Sequence, residues 1–222
     1  LFAENQVFGR RAIQNMRVVS DACNTGGVIK LADELRNALS YLREKVLKGA
    51  PRKVVATCRT KYLVFADAFQ ESLFGGLGGM AYGPGATMYH WFSCELSCDQ
   101  IATVNPDGKA TVIYELEVMA AVMAAVTLGS SWKSADVILF CDNEAALAAL
   151  ITGKTDSAFV RFMLDLLHEW EERCDVRLWC ERVPSHSNPS DAPSRGVLSG
   201  LVPSMRLDPD VPGVLQRFAN GH

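Results

Sequence analysis

The first regular pattern of apolar residues along the chain is helical. Between residues 28 and 48 the apolar positions are three or four residues apart, which places their side chains on one face of an α-helix. These positions are Val28, Leu31, Leu35, Leu39, Leu42 and Val46. Gly49 and Pro51 follow, and both residue types end helices. The pattern predicts an amphipathic helix over 28–48, preceded by an irregular segment over 1–27.

Residues 62–198 alternate between strand patterns and helix patterns. Short apolar runs rich in β-branched and aromatic residues predict strands, and longer apolar stretches predict helices. The predicted strands are 62–66, 80–82, 89–96, 136–141 and 175–183. The predicted helices are 115–128, 144–151, 158–174 and 190–198. Three antiparallel strands followed by helix–strand crossovers predict an α/β fold, a mixed five-stranded sheet with helices against its faces.

The same pattern divides the chain into three parts. We expect an N-terminal helical segment over 1–60, an α/β domain over 61–198 and a C-terminal tail over 199–222. The tail contains Pro203, Pro209 and Pro212, so we expect it to be extended.

Composition and charge narrow the class of protein. The 222 residues are 49% hydrophobic and 21% charged, which is typical of a globular protein, and no apolar run reaches the roughly 20 residues of a membrane span. Residues 1–62 carry a net charge of +7 and residues 63–222 a net charge of −10. A basic leader on an acidic body suggests that one part attracts a polyanion while the other concentrates carboxylates, although two differently solvated surfaces would give the same charges.

Features of the termini and the cysteines predict a cellular context. The chain begins without Met and without a signal sequence, so we expect a piece of a longer protein that is not secreted. Its seven cysteines have no framework spacing, which favours reduced thiols in an intracellular compartment.

Four acidic residues stand where a carboxylate lowers stability unless it has a function. Asp67 ends the first predicted strand, Glu117 lies within the apolar helix, Asp142 ends the fourth strand and Asp191 lies in the last helix. If the first and fourth strands are neighbours, Asp67 and Asp142 lie side by side at one edge of the sheet. Taken singly, each acid is better explained as a helix cap or a solvated surface group than as a functional residue.

Together these acids suggest a metal site. Converging carboxylates repel one another, and some stay protonated unless cations neutralise them. Carboxylate oxygens are hard ligands that suit Mg²⁺ or Mn²⁺. Two such ions about 3.5–4 Å apart can activate a water molecule and stabilise the leaving oxygen in phosphodiester cleavage.

The order of these motifs resembles the ribonuclease H domain of retroelement reverse transcriptases. The motifs are Phe-Ala-Asp67, Leu-Glu117-x-x-Ala, Cys-Asp142-Asn and Ser-Asn-Pro-Ser-Asp191. The stretch 183–195, Val-Pro-Ser-His-Ser-Asn-Pro-Ser-Asp-Ala-Pro-Ser-Arg, is the most specific part. It looks like the signature that ends these domains in LTR and tyrosine-recombinase retroelements. The glycines of 75–79 also match that family. The first residues, Leu-Phe-Ala-Glu, look more weakly like a segment that follows a polymerase palm. That resemblance would make 1–60 a thumb-like or connection remnant.

The resemblance implies an activity and a set of site residues. It implies that Asp67, Glu117, Asp142 and Asp191 bind two Mg²⁺ or Mn²⁺ ions and are catalytic. The family cuts the RNA strand of RNA–DNA hybrids, leaving 3′-hydroxyl and 5′-phosphate ends. The implied partners are an RNA–DNA hybrid and a covalently linked polymerase domain, with a location in the cytoplasm, the nucleus or a retroelement particle. His186 is a possible accessory residue, because related cellular enzymes carry a histidine before the final Asp, although on a longer loop.

Two other functions remain open. A DNA transposase or integrase of the same fold takes its third acid from a late helix, so Glu171 or Glu172 would then replace Glu117. A catalytically inactive module that only binds hybrids would keep the acids in a distorted geometry. The presence of all four acids in the family order favours the nuclease.

Residues 90–98 offer two further options. His90, Cys94 and Cys98 suggest a zinc site, but no fourth ligand stands at a conventional spacing, and cysteine is common in cores. We expect all four tryptophans, Trp91, Trp132, Trp170 and Trp179, in the core rather than as platforms for base stacking. Trp91 is the first candidate for an exception, because an open-strand position would let a nucleic-acid base stack on it.

Overall fold

The computed structural model describes residues 10–24, 31–48, 58–71, 74–106 and 108–221. The chain forms two compact units, residues 1–58 and residues 59–222. Among the described residues, no helix is long and apolar enough to cross a membrane.

Among the described residues of the N-terminal unit, Arg10–Asn24 forms helix α1 and Asp33–Lys48 forms helix α2, and these two helices pack on each other. Helix α2 confirms the predicted helix from residue 33 onward, whereas 28–30, Gly49 and Pro51 lie outside the described residues. The sequence predicted an irregular segment over 1–27, and this prediction is wrong for residues 10–24, which form α1. Helix α1 buries only the small Ala12 and the single Ile13 fully, so its apolar stripe is too weak to stand out in the sequence.

The larger unit is built on a mixed five-stranded sheet, as the sequence predicted. Its strands are β1 (Thr60–Glu71), β2 (Phe74–Tyr82), β3 (Met88–Leu96), β4 (Ala135–Cys141) and β5 (Arg177–Arg182). The strand order is β3-β2-β1-β4-β5. The pairs β1–β2 and β2–β3 are antiparallel, and the pairs β1–β4 and β4–β5 are parallel. The first and fourth strands are therefore neighbours in the sheet.

Strand β1 is longer than its apolar run, which corrects the prediction that Asp67 ends it. The strand continues to Glu71 because its second half pairs with β2, where Asp67 lies opposite Gly78 and Phe69 opposite Gly76. The glycines of 75–79, which lie before the predicted strand 80–82, are thus residues of β2. Cross-strand pairing with β1 overrides their low β-propensity.

The helices of this unit are α3 (Cys98–Val104), α4 (Ile113–Leu128), α5 (Glu144–Thr152), α6 (Ala158–Cys174), α7 (Asp191–Ser194) and α8 (Val211–Ala219). Helix α4 packs against β1, β2, α5 and α6, which explains why it is apolar almost all round. The short helix α3 was not predicted. It begins with a capping box between Ser97 and Gln100.

The C-terminal residues belong to the same compact unit, and the prediction of an extended tail is wrong. Helix α8 begins after Asp210, whose side chain accepts a hydrogen bond from the backbone N–H of Gly213. Pro212 fits there because the first turn of a helix needs no intrahelical N–H donor. Val211 and Leu215 are buried against the core.

The segment before α8 covers the edge of β3. The backbone N–H of Leu207 donates to the carbonyl of Trp91, and the indole N–H of Trp91 donates to the carbonyl of Val202. Trp91 is only 3% exposed, which confirms the expectation of a core residue and excludes it as a platform for base stacking. Trp179 on the edge strand β5 is 44% exposed instead.

Candidate active site

Asp67 and Asp142 lie at the same level of two neighbouring parallel strands. The register pairs Phe65 of β1 with Phe140 of β4, and each acid follows two residues later in its own chain segment. Asp67 is 3% exposed, and Asp142 is half-buried directly after β4. A capping role does not account for Asp142, because the side chain of Asn143 accepts the bond from the Ala146 N–H and caps α5.

The two acids at the start of α4 have different surroundings. Glu115 accepts an ion-paired hydrogen bond from Lys109 at 2.8 Å. Glu117 is 5% exposed and accepts a hydrogen bond from the backbone N–H of Ala68 on β1. Its Oε2 atom is buried and has no hydrogen-bond partner. Glu117 is therefore the acid that α4 presents to the sheet.

Glu117 and Asp142 form the centre of the site together with Cys141. A carboxylate oxygen of each acid and the sulfur of Cys141 lie within 4.8 Å of one another. Burial raises the pKa of the Cys141 thiol far above its ordinary value, so the thiol stays protonated. A neutral thiol is a poor ligand for a hard cation, which leaves the two carboxylates as the donors of this group.

Asp191 is the first residue of α7 and is half-exposed. Arg195, one turn later, donates from Nε to Asp191 Oδ1 at 3.0 Å. Ser194 of the same helix donates from its hydroxyl to Asp67 Oδ2 at 2.5 Å. Helix α7 therefore brings Asp191 beside Asp67, and the hydrogen bond from Ser194 joins this helix to Asp67.

Two glycines of β2 allow α7 to lie directly on the sheet. A Cβ atom at Gly78 would lie 2.4 Å from the Ser194 nitrogen and 2.6 Å from the Ser190 carbonyl oxygen. A Cβ atom at Gly76 would lie 2.2 Å from the Ser194 carbonyl oxygen. Any larger residue would push the helix away from Asp67, so the glycines that the sequence singled out serve this close approach.

Asn188 fixes the loop that leads into α7. Its Nδ2 atom donates to the carbonyl of Ala66 at 2.9 Å and lies 3.4 Å from Asp67 Oδ1. Its Oδ1 atom accepts from the backbone N–H of Ser190. The loop is therefore anchored to β1 immediately beside the first acid.

The electrostatics show how strongly the four acids interact. Burial raises the pKa of Glu117 to about 9, and the nearby Asp67 and Asp142 add to this shift. Burial also raises the pKa of Asp67 to about 6; the Ser194 hydrogen bond opposes the shift, while Asp142 and Asp191 reinforce it. Each buried acid thus senses the charge of its neighbours, which is the signature of a converging set of carboxylates.

This donor set fits a hard divalent cation. It offers carboxylate oxygens from β1, α4, β4 and α7, and one of them, Glu117 Oε2, is buried without a partner. A buried unpaired carboxylate oxygen is costly, and a cation would both satisfy it and reduce the repulsion between the acids. Oxygen donors of this kind match Mg²⁺ or Mn²⁺ rather than a soft metal.

The remaining sequence candidates lie in other settings. His186 is exposed on the 3₁₀ turn Ser185–Ser187, four residues before the buried Ser190. Within the part of the chain that the structure describes, the one group of potential ligands is that of Glu117, Cys141 and Asp142, so His90, Cys94 and Cys98 do not gather for zinc. His90 Nδ1 instead lies 3.2 Å from the carbonyl oxygen of Met205.

Glu171 and Glu172 are placed at the opposite end of the sheet from the site. They lie in the last turn of α6, where the Cys174 carbonyl accepts a bond from Ser134, the residue before β4. Asp142 follows the other end of β4, which is about 20 Å away for a seven-residue strand.

Sequence reasoning missed the side chains that hold the acids. Ser194 and Asn188 both lie in the motif of 183–195, but no role was assigned to them. Their bonds reach residues more than 100 positions earlier, so spacing along the chain carries no signal for them. A Ser three residues after a helix-starting Asp was the only hint in the sequence.

Comparisons with known proteins find ribonucleases H among solved structures. No protein-family model and no curated protein matches the chain. The chain is similar to LC11-RNase H1, isolated from compost by a metagenomic approach, with a TM-score of 0.47 and 14% identity over 63% of this chain and 99% of that chain. It is also similar to RNase H1 of the halophilic archaeon Halobacterium salinarum NRC-1, with a TM-score of 0.45 and 14% identity over 62% of this chain and 97% of that chain. LC11-RNase H1 in complex with an RNA/DNA hybrid matches with a TM-score of 0.45 and 12% identity over 61% of this chain and 94% of that chain.

Proposed function

We propose that this protein is a divalent-metal-dependent ribonuclease H that hydrolyses the RNA strand of RNA–DNA hybrids. The observation that carries the proposal is the close approach of the Glu117 and Asp142 carboxylates, which lie within 4.8 Å of each other. Asp67 interacts electrostatically with both of them and with Asp191, which links all four acids. The same four acids stand in the motifs that resemble the ribonuclease H domains of retroelement reverse transcriptases.

In this proposal the four acids are the catalytic set and hold two Mg²⁺ or Mn²⁺ ions. Ions bound by these residues would supply Lewis acidity, which would activate a water molecule and stabilise the negative charge on the leaving 3′ oxygen. The chain's part is to hold the carboxylates in place before substrate arrives: Ala68 orients Glu117, and Ser194 and Asn188 orient Asp67. Such preorganisation avoids the cost of gathering the charges during the reaction.

The proposed substrate is recognised by shape. A ribonuclease H has to distinguish a hybrid from duplex DNA, and the 2′-hydroxyl groups of the RNA strand offer that distinction without base readout. The acidic site itself repels a polyanion unless cations are bound, so hybrid binding near the acids depends on the same ions.

One structural observation weakens the transposase or integrase alternative. Such an enzyme would use Glu171 or Glu172 as its third acid, and both lie about 20 Å from Asp142 along β4. Glu117 occupies the central place instead. The cleavage assay described next distinguishes an active nuclease from an inactive module that only binds hybrids.

The test is cleavage of matched substrates by the full chain. RNA–DNA hybrid, duplex DNA and duplex RNA of one sequence are incubated with Mg²⁺ or Mn²⁺, and separately with EDTA. We expect cleavage of the hybrid's RNA strand only, and only with metal. Equal cleavage of duplex DNA would favour the DNA nuclease, and binding without cleavage would favour the inactive module.

We further propose that the chain is part of a reverse transcriptase and acts inside the cell. The motif of 183–195 supports this context, and the basic segment 1–60 is then the region between a polymerase and the nuclease. Sequencing the coding region upstream of Leu1 tests it, since we expect a polymerase palm with its own catalytic aspartates there.

A further inference from the structure

Both carboxylate oxygens of Asp67, one of the proposed cation ligands, have a protein donor nearby. Asp67 is 3% exposed, yet both of its oxygens face protein donors. Ser194 donates to Oδ2 at 2.5 Å, while Asn188 Nδ2 lies 3.4 Å from Oδ1 and donates more closely to the Ala66 carbonyl. The strong contact is therefore the one from Ser194.

The Ser194 hydroxyl has one proton and two acceptors within reach. Its Oγ lies 2.5 Å from Asp67 Oδ2 and 2.8 Å from the carbonyl oxygen of Asp191. Because charge-assisted hydrogen bonds are shorter and stronger than neutral ones, the proton goes to the carboxylate. This choice occupies Oδ2 and leaves Oδ1, with its weaker contact, as the oxygen that can turn to a cation.

The position of Ser194 is itself fixed by the sheet. Ser194 is 2% exposed, its backbone lies where a Cβ atom of Gly78 would be, and the preceding Pro193 carbonyl accepts a 2.6 Å bond from Ser93 of β3. The hydroxyl consequently has little freedom to move away from Asp67.

We propose that Ser194 is a positioning residue that orients Asp67 for divalent-cation binding and couples it to Asp191 on the same helix. The inference rests on the proposed function only in that these carboxylates hold a cation. Removing a residue that orients a metal ligand typically lowers metal affinity or activity by about 10- to 100-fold. Ser194 does not touch the substrate in this proposal; it acts through Asp67.

The chain offers a matched control in Ser93. Ser93→Ala also removes a hydrogen bond from a serine hydroxyl to α7, namely the bond to the Pro193 carbonyl. The Ser93 hydroxyl does not donate to one of the four acids. Ser194→Ala removes the bond to Asp67. Comparing the two variants separates loss of helix seating from loss of carboxylate orientation.

The experiment measures the melting temperature of each full-length variant in EDTA and with increasing Mn²⁺, then the hybrid-cleavage kcat and KM. For Ser194→Ala we expect a 10- to 100-fold higher Mn²⁺ concentration for half-maximal stabilisation and a kcat lowered by about the same factor, with KM within about twofold. For Ser93→Ala we expect clearly smaller changes in both, because the helix still lies on Gly76 and Gly78 and the bond from Ser194 to Asp67 remains.

Each other outcome has a defined meaning. Equal Mn²⁺ responses in Ser194→Ala and the wild type, equal losses in both variants, or a Ser194→Ala protein that is unfolded in EDTA would overturn the positioning role. Wild-type protein that shows a Mn²⁺ shift but does not cleave the hybrid would contradict the proposed function alone, because the shift in Ser194→Ala would still report on Asp67. Wild-type protein without any Mn²⁺ shift would overturn both.

Discussion

At the scale of single residues, burial determines the charge state of the candidate site before any cation binds. The pKa of Glu117 is raised to about 9 and that of Asp67 to about 6, in both cases first by burial and then by neighbouring acids. At neutral pH the metal-free site therefore holds a proton on Glu117. A cation has to displace that proton, so metal binding should strengthen as pH rises.

The same shifts predict how stability depends on pH. A carboxyl group whose pKa is higher in the folded state than in the unfolded state binds more protons when folded, so the free energy of unfolding falls as pH rises between the two values. For Glu117 this window runs from about 4.5 to about 9, and for Asp67 from 3.8 to about 6. We therefore expect the melting temperature in EDTA to fall from pH 6 to pH 9.

Glu117→Gln should remove most of the fall in melting temperature between pH 6 and pH 9, because Gln does not titrate. Added Mg²⁺ should reduce the same fall in the wild type. Glu115→Gln is the control, because Glu115 lies on the same helix but pairs with Lys109. Thermal melts at pH 6, 7, 8 and 9 measure the effect. Parallel curves for the wild type and Glu117→Gln would contradict the assignment of this window to Glu117.

A second prediction at this scale ranks His186 below the acids. His186 is exposed and sits two residues before Asn188, which is anchored to β1, so its reach is short. We expect His186→Ala to lose less than the roughly 100-fold of an essential acid–base group. Asp142→Asn should lose orders of magnitude, and Asp191→Asn should lose more than His186→Ala. Single-turnover rates on one hybrid measure this ranking, which a His186→Ala defect as deep as that of Asp142→Asn would overturn.

At the scale of elements, the site depends on how closely α7 approaches β2. We expect Gly78→Ala to displace the helix and separate Asp191 from Asp67, because its Cβ would lie 2.4 Å from the Ser194 nitrogen. Overpacking of this kind costs about 1–3 kcal/mol of stability, so the fold should survive while hybrid cleavage is lost.

Gly83→Ala is the matched control for Gly78→Ala. Gly83 has a φ of −87° and its Cβ would meet nothing closer than 3.8 Å, so the substitution should leave cleavage unchanged. Melting curves in EDTA and hybrid-cleavage rates provide the comparison. Full activity in Gly78→Ala would mean that the seating of α7 does not matter for the site.

Elements with a strong local pattern were predictable, and those stabilised by distant pairing were not. Helix α6 was predicted to the residue because its apolar face is continuous over 158–174. Strand β1 was cut short at Asp67 because its second half is polar and gains its stability from β2. Helix α8 was missed because three prolines suggested an extended tail, whereas one of them suits a helix start.

The candidate site shows the same division. Asp67, Glu117 and Asp142 could be selected from the sequence because each interrupts or ends an apolar pattern, which tolerates a carboxylate only at a cost. Asp191 could be selected because the motif of 183–195 resembles the signature of a known family. The contacts that orient them could not, because Ser194 and Asn188 reach Asp67 across more than 100 residues of chain. Such contacts arise from topology rather than from local sequence.

At the scale of the whole molecule, charge is divided between the two units. Residues 1–58 carry a net charge of +5 and residues 59–222 carry a net charge of −8, so a basic unit precedes an acidic one along the chain. Phosphate contacts by Lys and Arg release counterions, which makes binding weaken with salt in proportion to their number. The basic segment is therefore the expected source of non-specific hybrid affinity.

Deletion of residues 1–58 tests this division of roles. The remaining chain is the compact unit that holds all four acids. We expect weaker hybrid binding in Ca²⁺ and a shallower plot of log Kd against log salt, with turnover at saturating hybrid largely retained. Salt titrations of the full and shortened chains measure the slope, and an unchanged slope would assign the basic charges to solvent alone.

Glu117 and its three neighbouring acids form, in our proposal, a metal-dependent ribonuclease H site. Its most direct test follows an end-labelled RNA strand, paired with DNA, during incubation with Mg²⁺ and the wild type, Glu117→Gln or Glu115→Gln. We expect the wild type and Glu115→Gln to cleave the RNA at rates within several-fold of each other. In Glu117→Gln we expect the cleavage rate to fall by at least about 100-fold, because a missing metal ligand removes several kcal/mol of transition-state stabilisation. RNA cleavage that persists in EDTA, or that is equal in Glu117→Gln and Glu115→Gln, would contradict the proposal.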